Sequence, residues 1–330
     1  MAQAGGVVYR PGRVEDLDAC ARTWRSASEA YLRPLAEPPL PDDPGPLLRL
    51  LAHTLTTDPD RFWVATRDGV VEGFSSATLR DGLWFLAMLF VEPGLQAQGV
   101  GGALMDRAQA GRDVDPGGPA VPGPDDPFDT GVHTWGMCTD AAQPISNALY
   151  ARRGMPSRVP AWRVTGEVRR WSALPALPTS LEAVPFDAIA AGEPHGERRL
   201  ADLVDGLDRE LIGTAHGPDH AFLRRDGRTG FLVRERGSDR VAGYVYGSGS
   251  GRLGPAAAVD PALHPALIGV AVRQTPILGP VAMWVPGTAD RAMRALLDAG
   301  LRLEGFPGLI CWSRADHPFA RYLPISLALV

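Results

Sequence analysis

The sequence predicts an α/β protein of two domains, and three observations carry that prediction. The chain has 330 residues, about twice the ~150 residues of an ordinary domain. In the first half, residues 84–90 are a continuous apolar run of strand length, stopped by Pro93 and Gly94. Glycines 99, 101 and 102 then open a segment whose apolar residues Val100, Ala103, Leu104 and Ala108 keep helical spacing. In the second half the order helix, hairpin, strand, helix returns.

Taken in order, residues 7–10 form a short strand ended by Pro11-Gly12. Val14 to Asp18 start a helix, with acids in its first turn and Leu17, Ala21 and Trp24 on one side. Residues 31–46 are proline-rich, and 47–55 resume helical spacing. Residues 62–65 and 70–78 form a hairpin around Arg67-Asp68-Gly69. Asp81-Gly82 makes the next hairpin into the strand at 84–90. Residues 113–129, with five prolines and three glycines, read as a surface loop, and 131–138 as a returning strand.

Composition narrows the function. Apolar residues make up 45% and charged residues 22% of the chain, ordinary for a soluble globular protein. A net charge of −5 argues against a general nucleic-acid binder. There is no apolar run long enough to span a membrane and no export signal at the N-terminus, and three scattered cysteines show neither metal spacing nor an even disulfide set. The expectation is a cytoplasmic protein without a metal. All 33 basic residues are arginine, so no lysine is available for Schiff-base chemistry or self-acetylation.

A strand that turns through glycines into a helix start offers unpaired N–H groups and a positive helix end, which suits a phosphate or pyrophosphate. A Walker A loop would need a lysine. A dinucleotide fingerprint would need its first glycine directly after the strand and a third glycine where Leu104 stands. What remains is Val91-x-Pro93 followed by Gln96-x-x-Gly99-x-Gly101. This resembles the acetyl-CoA pyrophosphate loop of the GNAT acyltransferase superfamily. A second segment, Gln143-Pro-Ile-Ser-Asn-Ala-Leu-Tyr150 running to Gly154-Met155, resembles another signature of the same superfamily, with Gln143 where the family often has Asn.

The resemblance implies a mixed, mostly antiparallel sheet flanked by helices, and acetyl-CoA as co-substrate. It implies that Gln96, Ala97, Gln98, Gly99, Val100, Gly101 and Gly102 hold the pyrophosphate. The backbone of Leu89, Phe90 and Val91 would pair with the pantetheine arm, Ser146 and Asn147 would cap their helix or contact the cofactor, and Tyr150 would protonate the departing thiolate. No base is assigned. Residues 84–91 contain no acid, and Glu29, Glu72, Glu92, His133 and Asp140 all stay open, as does a water chain.

The second half echoes this order: a helix at 198–212, a hairpin of 230–236 with 241–247, a strand at 256–259, helices at 263–272 and 290–299, and strands at 281–285, 301–306 and 309–312. Pro261-Ala-Leu-His-Pro265 stands where the glycine loop would be, and Pro265 has no N–H to offer a phosphate. His216-Gly-Pro-Asp-His220 reads as a turn and Gly247-Ser-Gly-Ser-Gly251 as a flexible hairpin. The division expected is a GNAT acyltransferase domain at 1–170, a proline-rich linker at 171–185 and a degenerate GNAT-like domain at 186–330.

The function expected is N-acetyl transfer from acetyl-CoA to a small-molecule amine by direct attack. Two alternatives stay open: another donor, such as a longer acyl-CoA or an aminoacyl-tRNA, and a non-catalytic CoA-binding regulatory protein. The oligomeric state is not legible.

Overall fold

The computed structural model describes residues 6–37, 39–114, 131–192 and 194–330. From residue 115 on, the loop expected at 113–129 lies outside them. The chain separates into two compact units: Met1–Pro156 with Cys311–Ser313, and Ser157–Ile310 with Arg314–Val330. Both are α/β, with sheets flanked by helices.

In the first unit, β1 (Val8–Pro11) leads to α1 (Leu17–Leu32) and α2 (Gly45–Thr57). A meander follows: β2 (Phe62–Arg67), β3 (Val70–Arg80) and β4 (Leu83–Val91). Its two hairpins turn where the sequence placed them, at Asp68-Gly69 and Asp81-Gly82, all four residues at positive φ. Only that left-handed turn matches the twist of the flanking strands. Gly82 is also a steric requirement, because a Cβ there would lie 2.5 Å from the His133 ring. α3 (Val100–Ala110) crosses over to β5 (Thr134–Asp140), which runs parallel to β4, and α4 (Pro144–Ala151) follows. The strand order is β1-β2-β3-β4-β5.

Helix α3 packs on β2, β3 and β4, while α1 packs on β3 and β4 and α2 on β3. Leu104, Met105 and Ala108 of α3 are fully buried. The carboxyl end of α3 is held by side chains: Arg61 donates to the carbonyls of Ala108 (3.0 Å) and Gln109 (2.8 Å), and Trp84 donates to Ala108 (3.2 Å). These bonds satisfy carbonyls that a helix end leaves open, and they fix the direction in which the other end of α3 points.

The second unit begins with β6 (Ser157–Gly166), β7 (Leu181–Pro185) and α5 (Phe186–Ala190). Next come α6 (Gly196–Leu211), α7 (Gly217–Arg225), β8 (Arg228–Glu235), β9 (Val241–Ser248) and β10 (Leu253–Ala258). The chain continues through α8 (His264–Gln274), β11 (Val281–Pro286), α9 (Asp290–Ala299), β12 (Arg302–Trp312) and β13 (Tyr322–Leu323). One sheet is antiparallel in the order β13-β10-β9-β8-β7, and β6 lies between β12 and β11. The core gathers Val233 and Val245 of the sheet, Leu267 and Ile268 of α8, Met283 of β11 and Leu296 of α9.

The His216–His220 segment is not a turn. Pro218, which reads as a breaker, sits in the first turn of α7, where its fixed φ suits a helix start. His220 then points from α7 at the fully buried Asp208 of α6. Asp208 accepts from His220 Nε2 and from the Tyr244 hydroxyl, both at 2.8 Å, and His216 Nδ1 lies 3.4 Å away. The other ring nitrogen of His220 is 2.8 Å from the Tyr246 hydroxyl. Among the described residues no cluster of three or more such side chains is arranged to hold a metal ion.

Burial by itself would raise the Asp208 pKa, but the contacts with His216 and His220 outweigh it and hold the carboxyl below the ordinary carboxylate range. A depressed carboxylate pKa adds stability above the unfolded value near 4, and that stability is lost as pH falls through the folded value. Asp208→Ala, which strands two buried donors, should cost about 3 kcal/mol in chemical denaturation at pH 7. The difference from wild type should shrink on acidification below about pH 4.

Candidate functional site

A central strand that outlasts its partner defines the site. β4 pairs with β5 from Leu83–Thr134 to Leu86–Met137, yet β4 continues to Val91 and β5 to Asp140. On its other edge β4 carries a bulge. Ser76 of β3 faces Met88 and Ala77 faces Leu86, so Ala87 is the extra residue. A bulge bends its strand and increases the local twist, and it falls where β4 leaves β5. Leu89, Phe90 and Val91 therefore stand beyond the β4–β5 ladder.

The glycine loop follows directly. Ala97 (φ 61°) and Gly99 (φ 84°) are both left-handed, and the first intrahelical bond of α3 runs from Ala103 N–H to Gly99 C=O at 3.0 Å. The N–H groups of Val100, Gly101 and Gly102 thus belong to the open first turn of a helix. A Cβ built at Gly99 would meet nothing within 4 Å, and one at Gly101 only Val91 Cγ2 at 3.8 Å. The protein itself does not need a glycine at 101, so its missing side chain keeps space clear in front of the helix end. The two glutamines of the loop turn inward: Gln96 donates to the Val91 carbonyl (3.0 Å) and Gln98 to the Gly94 carbonyl (2.8 Å). They brace the loop, and the Val91 carbonyl is thereby already engaged.

Helix α4 supplies Ser146, Asn147 and Tyr150. Asn147 donates to the carbonyls of Asp140 (3.1 Å) and Gln143 (2.9 Å), which ties the start of α4 to the end of β5. Tyr150 is 5% exposed and packs among Trp84, Met105, Met137, Met155 and Cys311. Burial pushes its pKa above the ordinary phenol value, with Cys311 adding to the rise. The phenol is neutral at pH 7 and can only donate or accept a hydrogen bond.

The acid–base candidates separate clearly. His133 opens onto the Asp81-Gly82 hairpin, at 2.9 Å from Thr134 Oγ1 and 3.1 Å from the Asp81 carbonyl. That is the wrong end of β5, about 20 Å of strand from Asp140. Glu29 pairs with Arg25 at 3.4 Å and Glu72 with Arg67 at 3.4 Å. Glu92 accepts a 2.6 Å bond from Ser26. Asp140 lies at the carboxyl end of β5 and accepts from the Tyr31 hydroxyl of α1. Burial raises the Asp140 pKa, and the Tyr31 bond only partly opposes it.

Tyr31 and Arg153 escaped sequence reasoning. Tyr31 sits in a stretch that reads as proline-rich breakage, although α1 runs on to Leu32. Arg153 occupies a variable position of the second signature. The structure ion-pairs it with Asp106 at 2.6 Å and sets it 3.4 Å from the Gly102 carbonyl, beside the first turn of α3. Its place between Tyr150 and Gly154 was the available signal.

Residues 58–154 match the profile of the acetyltransferase (GNAT) domain. No curated protein matches the chain by sequence. Among solved structures, a Pyrococcus horikoshii protein assigned as an acetyltransferase superposes with a TM-score of 0.69 at 13% identity, covering 100% of this chain and 98% of its own. A GCN5-related N-acetyltransferase from Sphaerobacter thermophilus gives 0.56 at 15% identity, with 98% of each chain covered. A tandem GNAT protein from the clavulanic acid biosynthesis pathway gives 0.51 at 16% identity, over 94% of this chain and 99% of its own. At such identities the likeness is one of fold.

The two loop glycines should respond differently to alanine. Gly99→Ala forces a side chain into a left-handed conformation and should cost about 1 kcal/mol. Gly101→Ala should leave stability unchanged or slightly higher, because the Cβ fits and alanine favours a helix. Thermal or urea denaturation of the two variants reads the contrast.

Proposed function

We infer that the chain is an acyltransferase, because residues 58–154 match the acetyltransferase (GNAT) domain and the fold resembles that of a tandem GNAT protein. From that premise we propose that it transfers an acetyl group from acetyl-CoA to the amine of a small molecule. One observation carries this reading: the strand edge at Leu89–Val91 and the open first turn of α3 lie at the two ends of one short loop. An extended pantetheine arm joined to a pyrophosphate needs that pairing of surfaces.

The fit to the donor rests on the residues present. The side-chain space in front of Gly99 and Gly101 is clear, and the N–H groups of Val100, Gly101 and Gly102 carry the positive end of the helix dipole. Gln96, Ala97 and Gln98 set the curl of the loop. The remaining edge groups of Leu89, Phe90 and Val91 would take the arm as an added strand. A backbone N–H of this edge would also polarise the thioester carbonyl as negative charge develops on its oxygen. Acetyl-CoA supplies the activated acyl group.

Proton traffic falls to two side chains. Tyr150, neutral and buried, would donate to the departing sulfur. Asn147 ties α4, and with it Tyr150, to the end of β5, and Ser146 would contact the cofactor from the same helix. Asp140 would take the proton of the attacking amine, since its raised pKa leaves it a stronger base than an exposed carboxylate. Helix α1 bounds the acceptor side through three contacts: Trp24 edge-on to Phe90 at 6.5 Å, Ser26 on Glu92, and Tyr31 on Asp140. A cleft covered by a helix in this way suits a small acceptor better than a protein surface.

Calorimetry with acetyl-CoA and CoA is the direct test. Micromolar binding to wild type, abolished by Gly101→Trp, is the expected result; no binding of either ligand to a folded wild type overturns the donor assignment. Tyr150→Phe should lower kcat by about 100-fold while CoA affinity persists, and an unchanged kcat would leave the phenol a packing residue. Asp140 works only when ionised, so kcat/KM should fall as pH drops through a pKa above the ordinary aspartate value near 4. Asp140→Asn should remove that acidic limb together with about 100-fold of kcat.

A further inference from the structure

The carboxyl end of α1 carries two groups that act on Asp140. The helix runs to Leu32 and tightens into a single 3-10 turn, Arg33–Leu35. Two backbone bonds close it, Ala36 N–H to the Arg33 carbonyl at 3.2 Å and Glu37 N–H to the Leu32 carbonyl at 3.4 Å. With Ala36 left-handed at φ 54°, this is a Schellman cap. The cap reverses the chain, so Glu37 returns beside the helix end that presents Tyr31.

The backbone of this cap is not the cheapest available. Its left-handed position is ordinarily glycine, because a Cβ there crowds the neighbouring carbonyl. Here alanine takes it. Non-glycine residues in such conformations persist where the surroundings over-determine them, which is most often at functional sites. The turn so formed faces the end of β5.

Asp140 receives opposed influences from the two side chains. Burial raises its pKa first of all. The Tyr31 hydroxyl donates to Asp140 Oδ2, which fixes the carboxyl group and favours its charged form. Burial and the adjacent carboxylate push the Tyr31 phenol above its ordinary value, so it keeps its proton and remains the donor. Glu37 works the other way, since like charge disfavours ionised Asp140.

The other groups around this point are already placed. Cys138, two residues earlier on the same face of β5, is a thiol whose own pKa burial pushes up. Asn147 of α4 donates to the Asp140 backbone carbonyl at 3.1 Å. Glu92, after β4, accepts from Ser26, and Glu29 of α1 pairs with Arg25. A base that is too weak leaves an amine its proton, and one that is too strong is already protonated at working pH. Opposed influences set it between these limits.

Resting on the assignment of Asp140 as the base, we propose that Tyr31 and Glu37 are positioning residues that act through it. The hydroxyl holds the carboxylate in one orientation and in its charged form, and the second carboxyl keeps it basic enough to take the proton of the attacking amine. The cap on α1 holds both in place.

The test is a pH titration of the Asp140 carboxyl in the full chain, followed by carbon-13 NMR of protein labelled at its aspartate carboxyls. The signal is identified by its absence in Asp140→Asn. Its midpoint in wild type should lie above the ordinary aspartate value near 4. Tyr31→Phe, which removes only the hydroxyl, should move the midpoint up by about one pH unit. Glu37→Gln should move it down by about half a unit. The difference made by Glu37 should shrink in high salt, whereas that made by Tyr31 should persist. A merely structural cap would change the Tm of the variants without separating their midpoints in opposite directions. Glu37→Gln keeps the test open if Tyr31→Phe does not fold. An unchanged midpoint in either folded variant, or shifts of the same sign, overturns the proposal. The titration needs no acceptor, so that failure is distinct from failure of the base assignment. The assignment falls if Asp140→Asn keeps the wild-type acidic limb of kcat/KM, and it takes the catalytic meaning of the cap with it.

Discussion

Four residue pairs of parallel ladder, Leu83–Leu86 on Thr134–Met137, are the constraint on which the first unit depends. They are enough to hold β4 and β5 together, and few enough that both strands extend past the contact. The bulge at Ala87 turns β4 where the ladder stops. A longer ladder would have closed the strand edge. Without one, α3 would not be carried from the end of β4 across to the start of β5. The position of α3 rests on this arrangement and on Arg61 and Trp84, which anchor its far carbonyls.

Helix α1 closes the other side. Its contacts reach the ends of both diverging strands, through Phe90 and Glu92 after β4 and Asp140 after β5. At this junction burial raises the Asp140 pKa, and the Tyr31 hydroxyl bonds its carboxylate. Environment therefore selects among acids that look alike in sequence: Glu29 and Glu72 are spent in ion pairs near the surface, and Asp140 is not.

The second unit follows a different economy of charge. At the start of α8, Asp260 accepts the Ala262 N–H at 2.9 Å and His264 is buried, its pKa lowered by burial to about 4. Polar residues sit instead on the α6–α7 face, where both oxygens of Asp208 are hydrogen-bonded while Arg228 Nε and Nη1 have no hydrogen-bond partner among the described residues. The two lie on one sheet face, so the contrast reflects how many partners the fold brings to each. Asp208 has donors on α7 and β9, whereas Arg228 sits at a strand end beside another arginine.

Much of the molecule was legible in the chain. The Asp-Gly turns, the apolar run at 84–90, the glycine loop, the helix spacing and the helix of α9 ended by Gly300 all rest on local rules of φ, packing period and capping, which short stretches obey by themselves. The loop and the Tyr150 helix could be matched to a family for the same reason. The tertiary structure decided what depends on distant partners. His220 became part of a helix that His216 precedes, because Pro218 stands at its start and Asp208 waits on another. Gln96 and Gln98 turned to their own loop carbonyls, and Tyr31 met Asp140 across 109 residues. Among the described residues, Arg228 Nε and Nη1 were left without a hydrogen-bond partner. Local sequence fixes which backbone conformations are cheap, but the field around a side chain is a sum over neighbours that only folding assembles.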